Sequence, residues 1–212
     1  MTATLIAIAN QKGGSGKTTL TMNLAAGLGQ RGRTLVIDAD PQGSAVQWSG
    51  LAPESRPFPV PVIAVGGNPG REVEHFREDY DYILIDCPPS LETDRTEKAM
   101  LGSDRVLIPV LPSPVDLWAS MDLVERVDAI RQRRPELAAR FVINQLEPRS
   151  ALSRAMHSAL AEFDLPALES CVRRRAVYRN AAMEGRSVFC LGKQGETARS
   201  EIGNVIEEVI PS

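Results

Sequence analysis

The stretch TLIAIANQKGGSGKTT, residues 4–19, constrains the fold more than any other part of the chain. An apolar run rich in β-branched residues meets Gly13, Gly14 and Gly16, and a helix-forming sequence follows at once. Glycine tolerates the positive φ of a tight turn, so successive backbone N–H groups can converge on one anion. A helix that opens on such a loop adds the positive end of its dipole. The spacing is that of a phosphate-binding loop, G-x-x-x-x-G-K-[ST], ending in Gly16, Lys17 and Thr18. The first glycine of that pattern would fall at residue 11. This chain has Gln11 there, followed by a second lysine, Lys12.

The same strand-then-helix alternation continues. Strands are expected at 4–10, 33–40, 81–86, 105–110 and 140–144, with a short one from Val60 to Val65. Helices are expected from Thr18 to Gln30 (closed by Gly32), at 45–51, from Arg71 to Arg77 and at 96–101. Further helices should run from Asp116 to Arg134, Ser150 to Glu162, Tyr178 to Met183 and Glu196 to Val209. Continuous apolar strands alternating with helices specify an α/β fold: a mostly parallel, twisted β-sheet flanked by helices in three layers. Ligands of such sheets bind beyond the carboxyl ends of the strands. The Pro- and Gly-rich stretch at 52–70 is too short to separate two cores, so one domain over 1–212 is expected.

Composition narrows the class. The 212 residues are 43% hydrophobic and 24% charged, with a net charge of −3, so no global basic field advertises nucleic acid. Three cysteines, Cys87, Cys171 and Cys190, form no C-x-x-C pair, which suggests reduced thiols in a cytoplasmic protein. The N-terminal apolar run is too short to span a bilayer and lacks a basic leader and a cleavage site.

Chemistry gathers at strand ends. Gly13, Gly14, Ser15 and Gly16 form the cradle, Lys17 would reach the β- and γ-phosphates of a nucleotide, Thr18 would bind Mg²⁺, and Thr19 would touch the α-phosphate. Asp86 ends the strand YILID, the pattern of a carboxylate that holds Mg²⁺ directly or through water. Asp38 and Asp40 end the strand after the loop helix. An Asp before Pro41 also suits a turn, and Asp38 reads as mainly structural, while Asp40 is the better placed to orient an attacking water.

Together KGGSGKTT, VIDADPQGSA, YDYILIDCPPS and PVLPSPVDLWA resemble the ParA family of deviant Walker ATPases, also called the ParA/MinD group. The resemblance extends through RRRAVYRNAAMEGRSV and is to the small type without an N-terminal helix-turn-helix. It implies a P-loop NTPase fold, slow hydrolysis of ATP stimulated by a partner, and an ATP-bound homodimer. Lys12 occupies the position of the family lysine that reaches across the dimer to the other subunit's phosphates. By the same resemblance Asp40 positions water, Thr18 and Asp86 serve Mg²⁺, and Asn144 reads adenine. The implied partners are non-specific DNA of the nucleoid and a ParB-like or cargo-adaptor protein.

Residues 173–199 carry Arg173, Arg174, Arg175, Arg179, Arg186, Lys193 and Arg199 against Glu184 and Glu196. Arg173 resembles the family's motif arginine. Arg174, Arg175, Arg179, Arg186 and Lys193 are the candidates for DNA, through phosphate contacts alone. Trp48 and Trp118 sit in apolar helical context and read as core or interface packing, as do Met100, Met121 and Met156. His75 and His157 have no ligand-like spacing. Three alternatives share the fold. A membrane-associated MinD type would need a basic amphipathic C-terminal helix, whereas this chain ends in the acidic SEIGNVIEEVIPS. An iron-sulfur carrier would need a second cysteine suitably spaced from Cys87. A small-molecule ligase would transfer phosphate to a metabolite.

Overall fold

The computed structural model describes residues 2–89, 94–147 and 151–210, apart from the Arg154 side chain. The expected start of a helix at Ser150 and the last two residues of the acidic tail lie outside these. Six strands form one sheet: β1 (Thr4–Ile8), β2 (Thr34–Asp38), β3 (Val62–Ala64), β4 (Tyr82–Asp86), β5 (Arg105–Val110) and β6 (Ala138–Ile143). Their order is β3-β2-β4-β1-β5-β6, and all five pairings are parallel. The expected parallel α/β sheet is therefore present.

Alternation along the strands builds two cores, because successive side chains point to opposite faces. Leu5, Ala7, Ile37, Ile85, Ile108 and Phe141 face one side. There they meet α4 (Arg95–Gly102), α6 (Met121–Arg133) and α7 (Ala151–Leu160). Ile6, Ile8, Val36, Leu84, Leu107 and Val142 face the other. There they meet α1 (Lys17–Leu28), α2 (Ser44–Gly50), α8 (Ala176–Met183) and α9 (Gly192–Val209). Helix α1 is buried on nearly every side, between the sheet and α9. A Cβ at Gly27 would stand 2.5 Å from Ile206 Cδ1. That is why α1 shows no amphipathic stripe: it is apolar all round.

Several boundaries shift. Helix α1 ends at Leu28, and the Gly32 N–H still closes the turn by donating to the Leu28 carbonyl at 3.0 Å. The segment expected as one helix from Arg71 to Arg77 is α3 (Pro69–Glu72) followed by a 3₁₀ turn at Val73–Phe76. The single helix expected from Asp116 to Arg134 is two, α5 (Pro114–Ala119) and α6, with a turn at Ser120. There the Ala119 carbonyl accepts the side-chain amide of Gln11 from the phosphate loop. A side chain donating into the helical ladder is a recognised cause of such a break.

Gly185, with φ +62°, ends α8 against the α2 side of the sheet, where an added Cβ would lie 2.1 Å from the Ala52 nitrogen. Gly203, within α9, has open space around it. Gly185→Ala should therefore destabilise the protein by about 2–3 kcal/mol. Gly203→Ala should stabilise it by up to about 1 kcal/mol. Urea unfolding of the two variants measures both.

Candidate nucleotide site

The loop between β1 and α1 is held from below. Asn10 donates through Nδ2 to the Pro109 carbonyl at 2.8 Å, and its Oδ1 accepts the Lys12 N–H at 2.9 Å. Gly14 and Gly16 take φ +78° and +89°. An added Cβ at Gly16 would sit 2.3 Å from Asn144 Nδ2, whereas at Gly13 or Gly14 it would meet nothing within 4 Å among the described residues. The loop is thus packed on its floor and open on its upper side. Ser15 is fully buried, and among the described residues its Oγ has no hydrogen-bond partner.

Lys17 is buried, and its Nζ donates to the Lys12 carbonyl at 3.3 Å. Burial lowers its pKa, while Asp86, Cys87 and Asp40 act to raise it. Thr18 Oγ1 donates to Asp86 Oδ2 at 2.7 Å, and Thr21 Oγ1 approaches Asp86 Oδ1 at 3.3 Å. Burial pushes the Asp86 carboxyl up to about 7, against the stabilising Thr18 hydrogen bond, with the adjacent Asp38 pushing the same way. Burial also raises the Cys87 thiol, the behaviour of an inert core residue. Among the described residues no group of three His, Cys, Asp or Glu could hold a metal on its own.

Asp38 and Asp86 are register partners on β2 and β4. Asp38 Oδ2 accepts the N–H groups of Ala45 and Val46 at 2.9 and 3.0 Å, so it caps α2 from outside the helix. Its Oδ1 accepts the Asp40 N–H at 3.1 Å. Asp40 is half-exposed and its Oδ1 accepts the Gln42 N–H at 2.9 Å. The carboxylate is thus presented beside the loop on a braced backbone.

Lys12 does not project freely. Its Nζ pairs with Asp116 Oδ2 at 2.7 Å, and Asp116 is buried, its Oδ1 without a partner among the described residues. Gln11 and Lys12 therefore reach the same helix, α5. In the sequence Asp116 stands out as a helix start and as part of the family-like stretch PVLPSPVDLWA, but no local pattern announces a partner 104 positions away. Trp118 is not core: it is 68% exposed, with Val115 and Met121 also exposed, at helical spacing beside Asp116. Met100 and Met156 are fully buried and Trp48 nearly so.

Asn144 holds the loop. Its Nδ2 donates to the Ser15 carbonyl at 2.8 Å, its Oδ1 accepts the Gln145 N–H at 2.9 Å, and Gln145 Nε2 donates to the Gly14 carbonyl at 3.2 Å. Both ends of the Asn144 amide expected to read adenine are engaged by the protein. Beside it a cavity of about 550 Å³ opens, lined by Gly16, Thr19, Asn144, Val172, Arg173 and Tyr178 among others. That is the size of a small-molecule site. Arg174, Arg175 and Arg179 line the same cavity.

The five arginine and lysine candidates for DNA separate here. Arg175 forks onto Glu201 through Nε and Nη2 at 3.1 and 2.7 Å, and Arg173 shares that carboxylate at 3.6 Å. Arg175 is a tie between this wall and α9. Arg174 pairs with Glu147 at 2.9 Å and Arg186 with Glu184 at 3.3 Å. Arg179 and Lys193 are exposed, and among the described residues neither is ion-paired. No helix among the described residues is long and apolar enough to cross a membrane.

Comparison with known proteins places this geometry. Residues 6–188 match the family model of the CobQ/CobB/MinD/ParA nucleotide binding domain. The chain is 46% identical over 208 residues to the maintenance of carboxysome distribution protein A of Halothiobacillus neapolitanus, covering 98% of this chain and 96% of that protein. Its fold matches the ATP complex of Cyanothece McdA, with TM-score 0.78, 18% identity, and 98% and 96% of the two chains covered. It also matches septum site-determining protein MinD of Pyrococcus horikoshii OT3 with Mg-ADP, with TM-score 0.73, 22% identity, and 99% and 96% covered. A phosphate loop opening α1, a carboxylate at the end of β4 and a family match over most of the length agree, and the chain belongs to the CobQ/CobB/MinD/ParA nucleotide-binding family of P-loop proteins.

Proposed function

We propose that this chain is a single-domain, slow, partner-stimulated ATPase that distributes a protein cargo by switching between ATP-bound dimer and free monomer. The observation that carries the cargo reading is the 46% identity, over nearly both full lengths, to a carboxysome distribution protein. It favours protein cargo over plasmid or chromosome partition. The loop suits the triphosphate of ATP: among the described residues it is open above Gly13 and Gly14, and the Lys17 ammonium lies beside the loop with its Nζ on the Lys12 carbonyl. Thr18 and Asp86, already in contact, would hold Mg²⁺, which supplies charge neutralisation at the β- and γ-phosphates. Asp40 would orient the water. Asn144 would shape the base side by holding the Ser15 carbonyl.

In this reading Lys12 crosses to the partner subunit, so it must leave Asp116. Asp116 and the ATP bound by the other subunit then compete for each Lys12 ammonium group. The exposed Val115, Trp118 and Met121 beside Asp116 support an interface on α5. Lys12→Ala alone would leave a buried carboxylate unpaired, which is itself destabilising. The double variant Lys12→Ala/Asp116→Asn removes that complication. It should fold and bind ATP yet remain monomeric by light scattering; an ATP-dependent dimer would count against the role of Lys12.

The Asp86 carboxyl, raised to about 7, must be ionised to hold Mg²⁺. A raised carboxyl pKa favours the apo fold at low pH, and that contribution is lost as pH rises through 7. Mg²⁺ binding has the opposite sign, because the metal competes with the proton. Mg²⁺ affinity in calorimetry should fall up to tenfold per pH unit below 7 and level off above about 8. A flat profile from pH 5.5 to 8 would remove Asp86 as the titrating ligand.

The proposed dimer binds DNA without sequence preference, through the unpaired Arg179 and Lys193 together with Arg174 and Arg186. The nucleoid is then the surface along which it works, within the cytoplasm, with an adaptor on the cargo triggering release. Binding to unrelated DNA should require ATP and weaken steeply with salt. Arg179→Glu/Lys193→Glu should lose at least tenfold in affinity. Arg175→Gln should instead lower the melting temperature, because its fork on Glu201 holds α9. DNA binding of equal strength without ATP would overturn this surface.

A further inference from the structure

Arg95 is the first residue of α4, on the path leaving β4. Its Nη2 donates to the Gly66 carbonyl at 2.6 Å and its Nη1 to the Ala39 carbonyl at 3.5 Å. Ala39 follows β2, Gly66 follows β3 and Arg95 follows β4, so three loops at the carboxyl edge of the sheet meet on one guanidinium. Its side chain is half-buried, and among the described residues it has no carboxylate partner. A cation held by two carbonyls from separate loops is a brace between them rather than a neutralised surface charge.

The braced peptide is the one before Asp40. The Ala39 N–H donates to the Asp86 carbonyl at 3.0 Å, and its carbonyl accepts from Arg95. The Asp40 N–H is taken by Asp38 Oδ1. The backbone entering Asp40 is thus fixed by β4, by Asp38 and by α4. We propose that Arg95 is a positioning residue for Asp40. It sets the Asp40 carboxylate relative to the phosphate loop. This rests on the reading of Asp40 as the group that orients the attacking water.

The planar fork of arginine spans two carbonyls at a fixed angle; a lysine reaches one at a time. A misplacement of about 1 Å in a positioned group costs about a hundredfold in rate. Arg95→Ala should lower kcat for ATP hydrolysis about ten- to a hundredfold and leave KM for ATP within about twofold, and Arg95→Lys should recover only part of the loss. A folded Arg95→Ala with parental kcat, or one that raises KM alone, overturns the proposal. If Arg95→Ala does not fold, Arg95→Lys carries the same comparison, and parental kcat in it overturns the proposal. The decisive arm is a double-mutant cycle with Asp40→Ala. If Arg95 acts through Asp40, adding Arg95→Ala to an impaired Asp40→Ala variant costs nothing further. Independent, additive losses overturn the positioning role and leave the Asp40 reading standing. Parental turnover by Asp40→Ala alone overturns both.

Discussion

One buried carboxylate organises the centre of this molecule. Asp86 ends the central strand β4 and is held by two hydroxyls from α1. It sits in register with Asp38 on β2. Burying a carboxyl is costly unless it is hydrogen-bonded, so the α1 hydroxyls and the strand end must stay together. That requirement pins the start of α1, hence the phosphate loop, to the middle of the sheet. Asp38, next door, is committed differently: its oxygens accept backbone N–H groups from α2 and Asp40. Two adjacent acids of similar sequence context thus divide the labour. One faces the loop helix, and the other builds the turn that carries Asp40.

The departure at residues 11 and 12 has a local meaning that the glycine pattern alone does not convey. Glycine at position 11 could reach nothing. Gln11 contacts the α5–α6 turn at the Ala119 carbonyl, and Lys12 contacts Asp116 one turn earlier. The phosphate loop is therefore laced to a surface helix whose Trp118 stands exposed. A change in where Lys12 points is a change in what holds α5.

Much of this was legible beforehand. Each expected strand appears, because a buried parallel strand is a continuous apolar run. RVLIPV matches its expected bounds residue for residue. The loop residues and Asp86 declare themselves by spacing. Less legible were the division at Ser120 of the helix expected from Asp116 to Arg134, and the basic segment at 173–199. There a count of charges could not tell Arg175, forked on Glu201, from the unpaired Arg179 four positions on. Charge is a property of the residue, but its availability depends on which carboxylate another helix brings near.

Sequence alone therefore determined the layered parallel sheet, the phosphate loop and the carboxyl edge where its chemistry gathers, because these follow from periodicity and from spacings of a few residues. Tertiary structure decided which groups are already engaged: Lys12 on Asp116, Asn144 on the Ser15 carbonyl, Arg95 across two loops. Those contacts join residues far apart in the chain. Hydrogen bonds and ion pairs act over about 3 to 4 Å, and only the completed sheet brings such partners within that range.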